Sequence, residues 1–563
     1  MRKIVVIGGV AGGMSAATRL RRLDEEASIT VVERSGHVSF ANCGLPYRLG
    51  GVIEERSALL LQTPESLAAR FALDVRVRHE ARAIDRANRR VTVRDLASGE
   101  DVELEYDALV LSPGARPVRP PLPGIEVAHT LRDVEDLDAL VASARGAREA
   151  VVVGGGFIGV EVAENLVHRG IGVTLVEATG QVMAPLDPEM VEPVHAAMRA
   201  AGVRLVLGTS VERIEPGERH VVHLSDGQAV PAGLVVAAIG VRPETSLAAA
   251  AGLALGERGG ILVDDSLRTS DPAIFAVGDA VEKRDGLDSS AVLVPLANTA
   301  NRQGRIVADV VVGRPGADRP VLGTAIVGVF GVAAASVGWN EKRLRAAGRP
   351  HRVLHTHPGS HAGYYPGSET MALKLLVDPL TDEILGAQGV GRDGVDKRID
   401  VIATAMTGRL TAADLADLEL AYAPQFGSAK DPVNMLGWVD RAVADGDVET
   451  LQWHELDAAL AAGATLLDVR TAAEHAARPV PGALNVPVDE LRSRLGELPS
   501  GPLVVHCEVG LRGYVAARLL TQHGREVRNL DGGYRTWAAG TASQRATAAA
   551  GGMGPGTASL LRA

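Results

Sequence analysis

Ala150–Glu177 reads AVVVGGGFIGVEVAENLVHRGIGVTLVE. A β-branched apolar run enters a glycine turn, an amphipathic helix follows, and a second β-branched run ends on a carboxylate. That order is one parallel βαβ unit. Gly154, Gly156 and Gly159 form a complete GxGxxG between strand and helix. Such glycines permit a tight turn and bring backbone N–H groups up to a pyrophosphate at the helix N-terminus. Glu177 stands 18 residues after Gly159. A carboxylate there binds ribose hydroxyls and repels a 2′-phosphate, which favours NADH over NADPH.

The same grammar stands at the N-terminus. KIVVIGG is a buried strand, SAATRLRRLD an amphipathic helix and SITVVER the next strand. The loop Gly8-Gly9-Val10-Ala11-Gly12-Gly13 departs from the motif, with Val10 at the second glycine position, but Glu33 restores the ribose carboxylate. TSDPAIFAVGDA ends an apolar strand on Gly278-Asp279, where a carboxylate can hold a polyol such as the ribityl chain of FAD. Two nucleotide-binding domains are therefore expected. From about 323 to 445 the texture changes to mixed strands and loops (HAGYYPGSETMALKLLVD), an α+β domain. TLLDVR, GALNVP and PLVVHCEVG then mark a further α/β unit. The Ala-, Gly-, Ser- and Thr-rich stretch 541–563 reads as a disordered tail.

With 563 residues, three to four domains are expected. Apolar content of 46% and charge of 23% fit a globular protein, and a net charge of −11 argues against nucleic-acid or membrane-surface partners. The N-terminus lacks a secretory h-region, and no uninterrupted apolar stretch is long enough to span a bilayer. Sparse cysteine fits a reducing cytoplasm.

The two cysteines, Cys43 in SFANCGLPY and Cys507 in HCEVGLR, have no CxxC partner. Neither reads as half of a local redox disulfide or a zinc site, so no metal is expected. In Cys507-Glu508-Val509-Gly510-Leu511-Arg512 successive N–H groups can form an anion nest, and Arg512 with the following helix should favour a thiolate or persulfide anion.

The three nucleotide elements, with YDALVLSPGARP and AAIGVRPET, resemble the FAD/NAD-linked disulfide reductase superfamily over about residues 1–445. SFANCGLPY is similar to its single-cysteine branch, on the coenzyme A disulfide reductase side, with NADH oxidase and peroxidase as relatives. The resemblance implies a discontinuous FAD domain (1–112 and 246–322), an NAD(P)H domain (113–245) and a dimerisation domain (323–445). FAD would lie at Gly8–Gly13, Glu33, Gly278 and Asp279, and NADH at Gly154, Gly156, Gly159 and Glu177. Cys43 would face the flavin as a thiolate and attack a disulfide or persulfide sulfur.

Ser39 and Asn42 match substrate-contacting positions of that branch, and Arg19 and Arg22 can meet the phosphates of coenzyme A. Tyr364, Tyr422 and Lys430 match its C-terminal active-site positions, contributed by the partner of a homodimer. Tyr365 adjoins Tyr364 and leaves that assignment open. Phe71 replaces a coenzyme-A-binding lysine found in the family, with Arg70 beside it.

Residues 450–540 resemble a rhodanese domain, whose sulfur-carrying cysteine is Cys507 and whose structural DVR element is Asp468–Arg470. Four residues between Cys507 and Arg512, against five in related phosphatases, make a cradle suited to one sulfur. The expectation is an α/β NADH-dependent flavoenzyme that reduces persulfide, polysulfide or coenzyme A disulfide. The alternatives are an NADH oxidase or peroxidase cycling Cys43 through sulfenic acid, and a redox sensor or sulfur-carrier scaffold.

Overall fold

The computed structural model describes residues 1–551. The chain divides into two compact units, Met1–Val176 with Val211–Gly323, and Glu177–Ser210 with Thr324 onward.

The first unit holds two parallel sheets. In one, strands run in the order Ile274–Ala276, Ala108–Leu111, Lys3–Ile7, Ser28–Glu33, Asp74–Val77. Ile4, Val5 and Val6 are buried because both faces of a parallel sheet are covered. The other sheet pairs Glu149–Val153 with Gly172–Glu177 and with Leu234–Ala237, again in parallel. Strand Lys3–Ile7 feeds helix Ala11–Leu23, and Glu149–Val153 feeds helix Phe157–His168.

The two glycine turns are built alike. Gly8 has φ +100° and Gly154 φ +106°, and a Cβ on either would fall 2.0 Å from Ser112 O or 2.4 Å from Ala238 O. Both positions therefore need glycine. Val10 does not: it caps its helix at φ −118°, backbone open to any side chain. The departure from GxGxxG thus leaves the turn intact.

In the second unit, Ala325–Val329, Val332–Gly338, Ile384–Gly391, Met371–Val377 and Arg352–Thr356 form an antiparallel sheet in that order. Helices Val395–Thr407 and Pro432–Ala444 pack against it. His355, Lys374 and Gln388 lie in one cross-strand row. That row is buried and charged. Lys374 Nζ reaches Glu189 and Glu341 at 2.5 Å and Asp187 at 2.9 Å, and His355 bridges Asp531 (2.7 Å) and Glu189 (3.1 Å). Asp187, Glu189 and Glu341 lie close enough to share a cation, and the Lys374 ammonium already contacts all three.

A parallel sheet completes this unit, in the order Glu449–Leu451, Val527–Leu530, Leu503–His506, Thr465–Asp468, Leu484–Asn485. Asp531, just after its second strand, is the partner of His355, so the buried charges join this sheet to the antiparallel one.

One expectation is corrected here. Helix Gly533–Gly551 runs through the start of the stretch read as a disordered tail, and Ser543 in it is buried. The small residues that made 541–551 look like low complexity include many alanines, the strongest helix formers, and the helix packs on helix Pro188–Ala200. The rest of that expectation, 552–563, lies outside the described residues. Among the described residues no helix is long and apolar enough to cross a membrane.

Candidate active sites

In the first unit the two nucleotide turns leave their helix ends open. Neither Val10 nor Gly156 supplies a side-chain cap, and neither helix has an acidic residue in its first turn. The unpaired N–H groups and helix dipole are free for a pyrophosphate. Glu33 is pinned beside the first turn, accepting from Gly9 N (2.7 Å) and Ser35 N (2.8 Å). Glu177 closes its strand with Oε1 accepting from Thr179 N and Oγ1, each 2.8 Å.

Asp279 follows Gly278, whose N–H donates to Gln303 Oε1 at 2.8 Å. The Asp279 carboxyl is half-buried and makes no hydrogen bond among the described residues. Burial raises it above the ordinary carboxylate range, against the pull of Lys283. Lys283 itself is lowered to about 8 by burial, and its Nζ donates to Val294 O at 2.6 Å. An unpartnered carboxyl beside an open glycine turn fits a polyol joined to a pyrophosphate, which is what FAD offers.

Cys43 lies in the short turn Asn42–Gly44, ahead of helix Leu45–Gly50. As a residue it is exposed. Desolvation pushes the thiol up, the charges of Glu161 and Asp279 add to this, and a backbone N–H opposes them. The charges of Glu161 and Asp279 thus work against a thiolate, which an electron-poor or cationic neighbour would favour.

Tyr47, four residues on, donates to Glu161 Oε1 at 3.2 Å and is pushed up to about 12, first by burial and then by Glu161. Burial also raises Glu161. Neither residue was singled out from sequence. Glu161 stands inside the opening stretch, and Tyr47 is one helical turn from the cysteine, spacings that would have flagged both. Ser39 takes φ +49°, rare for a side-chain-bearing residue, with its N–H donating to Gly9 O at 2.7 Å. This ties the cysteine segment to the first glycine turn. Asn42 is exposed, reaching Arg132 O at 3.4 Å.

Arg19, expected at a phosphate, is held by Asp309 through Nη2 (2.7 Å) and Nε (3.1 Å). Its charge is already matched by a carboxylate 290 residues away in sequence. Arg22 is exposed. Phe71 packs against the core of the first sheet.

In the second unit Tyr364 and Tyr422 share a hydroxyl–hydroxyl bond of 2.8 Å, and both rings are exposed. Tyr365 instead stands edge-on to His361, so Tyr364 is the member of the pair that meets Tyr422. Lys430 is exposed nearby in sequence.

Cys507 follows strand Leu503–His506 and is fully buried. Gly510 N donates to its sulfur at 3.2 Å, and Gly510 takes φ +103° to turn the loop into helix Leu511–Gln522. Arg512 interacts with the thiol but is gripped by Glu474, Nη1 to Oε2 2.8 Å and Nη2 to Oε1 2.6 Å. Glu508, within the loop, meets Arg470 (3.4 Å), Arg478 (2.9 Å) and Arg535 (3.3 Å). Arg470 is also paired with buried Asp468 at 2.7 Å, so the DVR element braces the loop from below. Sequence reading passed over Glu474 and Glu508, because nothing local shows which cation a carboxylate will meet.

A nucleotide-dependent redox unit and a separate thiol cradle define the class, an oxidoreductase joined to a sulfur-handling module. The chain belongs to the pyridine nucleotide-disulphide oxidoreductase family, whose model matches residues 2–304. The dimerisation domain of that family matches 324–432, and a rhodanese-like domain matches 452–540. Enzymes of this family work with FAD and a pyridine nucleotide.

The chain is 34% identical over 444 residues to a coenzyme A disulfide reductase of Staphylococcus haemolyticus (strain JCSC1435), covering 78% of this chain and all of that protein. It is similar throughout to the reduced Bacillus anthracis protein described as CoADR-RHD, with TM-score 0.94, 48% identity, and coverage of 96% of this chain and 98% of that one. An NAD-dependent persulfide reductase from A. fulgidus matches with TM-score 0.90 and 38% identity, over 95% of this chain and 100% of that one.

Proposed function

We propose that this protein uses NADH to reduce sulfane sulfur, as persulfide or polysulfide, or coenzyme A disulfide, with Cys43 as the reacting thiol and Cys507 as a sulfur carrier. One observation carries this reading: each cysteine sits alone in its own built site, one beside the nucleotide turns and one in an N–H-lined loop. A redox enzyme with one cysteine at its centre can form its mixed disulfide directly with the substrate.

FAD, when bound, supplies a two-electron carrier between NADH and the Cys43 sulfur. Residues 1–112 and 246–322 would hold it, through the Gly8–Gly13 turn, Glu33 and Asp279, and 113–245 would hold NADH on Gly154–Gly159 and Glu177. The Cys43 sulfur attacks one sulfur of the substrate, and the better leaving thiolate departs with the electron pair. Overall, R–S–SH, NADH and one proton become R–SH, H₂S and NAD⁺. Ser39 and Asn42 flank the attacking sulfur, and Arg22 is the cation left exposed on the first helix for a coenzyme A phosphate. The dimerisation domain supports a homodimer in which the partner would bring Tyr364, Tyr422 and Lys430 to the site. Residues 450–540 form the carrier module. Sparse cysteine supports a reducing, cytoplasmic setting.

The test is anaerobic NADH oxidation with a panel of donors (coenzyme A persulfide, glutathione persulfide, polysulfide and coenzyme A disulfide), following flavin absorbance and sulfide release. Cys43→Ser should abolish turnover on every donor. Faster NADH oxidation with oxygen or peroxide than with any sulfur donor would overturn the reading.

A further inference from the structure

The Cys507 loop carries more charge than a sulfur cradle needs, and the charges are arranged in opposition. Arg470, Arg478, Arg512 and Arg535 meet the carboxylates of Asp468, Glu474 and Glu508. These carboxylates accept from all four guanidiniums, and His475 Nδ1 also lies 2.9 Å from Asp468. The neighbouring His506 adds no charge, since burial lowers it to about 4. An incoming anion therefore meets guanidiniums already paired with carboxylates of the chain.

Glu474 is the residue that takes away the cation nearest the sulfur. It stands in the first turn of helix Ala472–Ala477, held by Thr471 N and Oγ1 at 2.9 Å each, and its two oxygens occupy both terminal nitrogens of Arg512. The guanidinium fork that would otherwise clamp a sulfonate or phosphate is filled from within the chain.

A second feature points the same way. Leu511 and Val515 lie one turn apart on the helix leaving the loop, and both are exposed, Leu511 by 65%. The helix leaving the loop thus presents an apolar pair to solvent, a surface suited to an organic arm.

We infer that Glu474 sets the donor specificity of Cys507, closing it to compact inorganic dianions such as thiosulfate, whose whole charge must enter the cradle, and leaving it open to organic persulfides, which bring only the sulfur end there. This rests on the reading of Cys507 as a sulfur carrier. With a persulfide, the Cys507 thiolate attacks the outer sulfur of R–S–S⁻, the S–S bond breaks, R–S⁻ leaves with the electron pair, and Cys507–S–S⁻ remains. With thiosulfate the same bond change would expel sulfite, and the dianion would have to approach past the Glu474 carboxylate.

The test is thiocyanate formation by the full-length holoprotein with cyanide as acceptor and either thiosulfate or glutathione persulfide as donor. The wild type should use thiosulfate with less than about one-tenth the kcat/KM of the persulfide. Glu474→Gln keeps the helix cap, because glutamine also serves that position. It should raise the thiosulfate-to-persulfide ratio about ten-fold or more, as expected for removing a full charge near a partly buried site. Glu474→Asp, which retains the charge, should keep the ratio low. An unchanged ratio in Glu474→Gln, or the same rise in Glu474→Asp, overturns the inference while transfer from persulfide leaves the carrier reading standing. No transfer to cyanide from any donor overturns both.

Discussion

Raising the pH from 7 to 10 should weaken the second unit through His355. Its ring lies between Asp531 and Glu189 with almost no exposed surface. Burial disfavours its charge, but Asp531 and Glu189 outweigh burial and the opposing Lys374, and the imidazole is raised to about 9. The neighbouring His357 behaves oppositely, lowered to about 3 by burial with His355 and Arg535 beside it.

A group raised on folding stabilises the protein fully below its unfolded value, about 6.5, and loses that contribution as pH rises through the folded value. From 6.5 to about 9 the linkage gives about 3 kcal/mol at pH 7, about 1 at pH 8 and close to zero at pH 10. The assay is denaturant unfolding of the full chain followed by tryptophan fluorescence. All four tryptophans, Trp339, Trp438, Trp453 and Trp537, belong to this unit, and Trp453 Nε1 donates to Glu189 itself at 3.3 Å. His355→Asn should be less stable at pH 7 and lose about 2–3 kcal/mol less than the wild type between pH 7 and 10. Equal losses in the two proteins would refute the assignment of the charge to His355.

Three further outcomes follow from particular contacts. Glu161→Gln, in a flavin-free Cys507→Ser background, should lower the pH at which Cys43 is alkylated, because a negative charge that holds the thiol up is removed; an upward or absent shift would show that burial alone governs it. Asp279→Ala should weaken FAD retention about ten-fold or more, the usual worth of a hydrogen bond to a charged group, read as flavin released on dilution; full retention would place the cofactor elsewhere. Gly540→Ala should destabilise by about 1–3 kcal/mol through overpacking. Alanine normally favours a helix, but here its Cβ would fall 2.3 Å from the Trp453 indole; a raised melting temperature by tryptophan fluorescence would contradict the packing.

Much of the fold was legible because the decisive residues act locally. A strand entering a glycine turn at positive φ needs glycine at Gly8 and Gly154 whatever surrounds it, and both βαβ units could be read from that alone. The loop from Cys507 to Arg512 is equally local, since the positive φ of Gly510 turns its N–H toward the sulfur. Composition misled at 541–551, where alanine and serine read as low complexity but continue helix Gly533–Gly551.

The amino-acid sequence therefore determined the α/β units, the two nucleotide turns and the two solitary thiols, because each is specified within a few residues of chain. Tertiary structure alone decided which charges those sites contain. Arg19 meets Asp309, Tyr47 meets Glu161, Arg512 meets Glu474, and Lys374 meets three acids from two other segments. An ion pair or a perturbed thiol depends on distance and desolvation between groups that can lie hundreds of residues apart, and neither quantity is written in the local pattern.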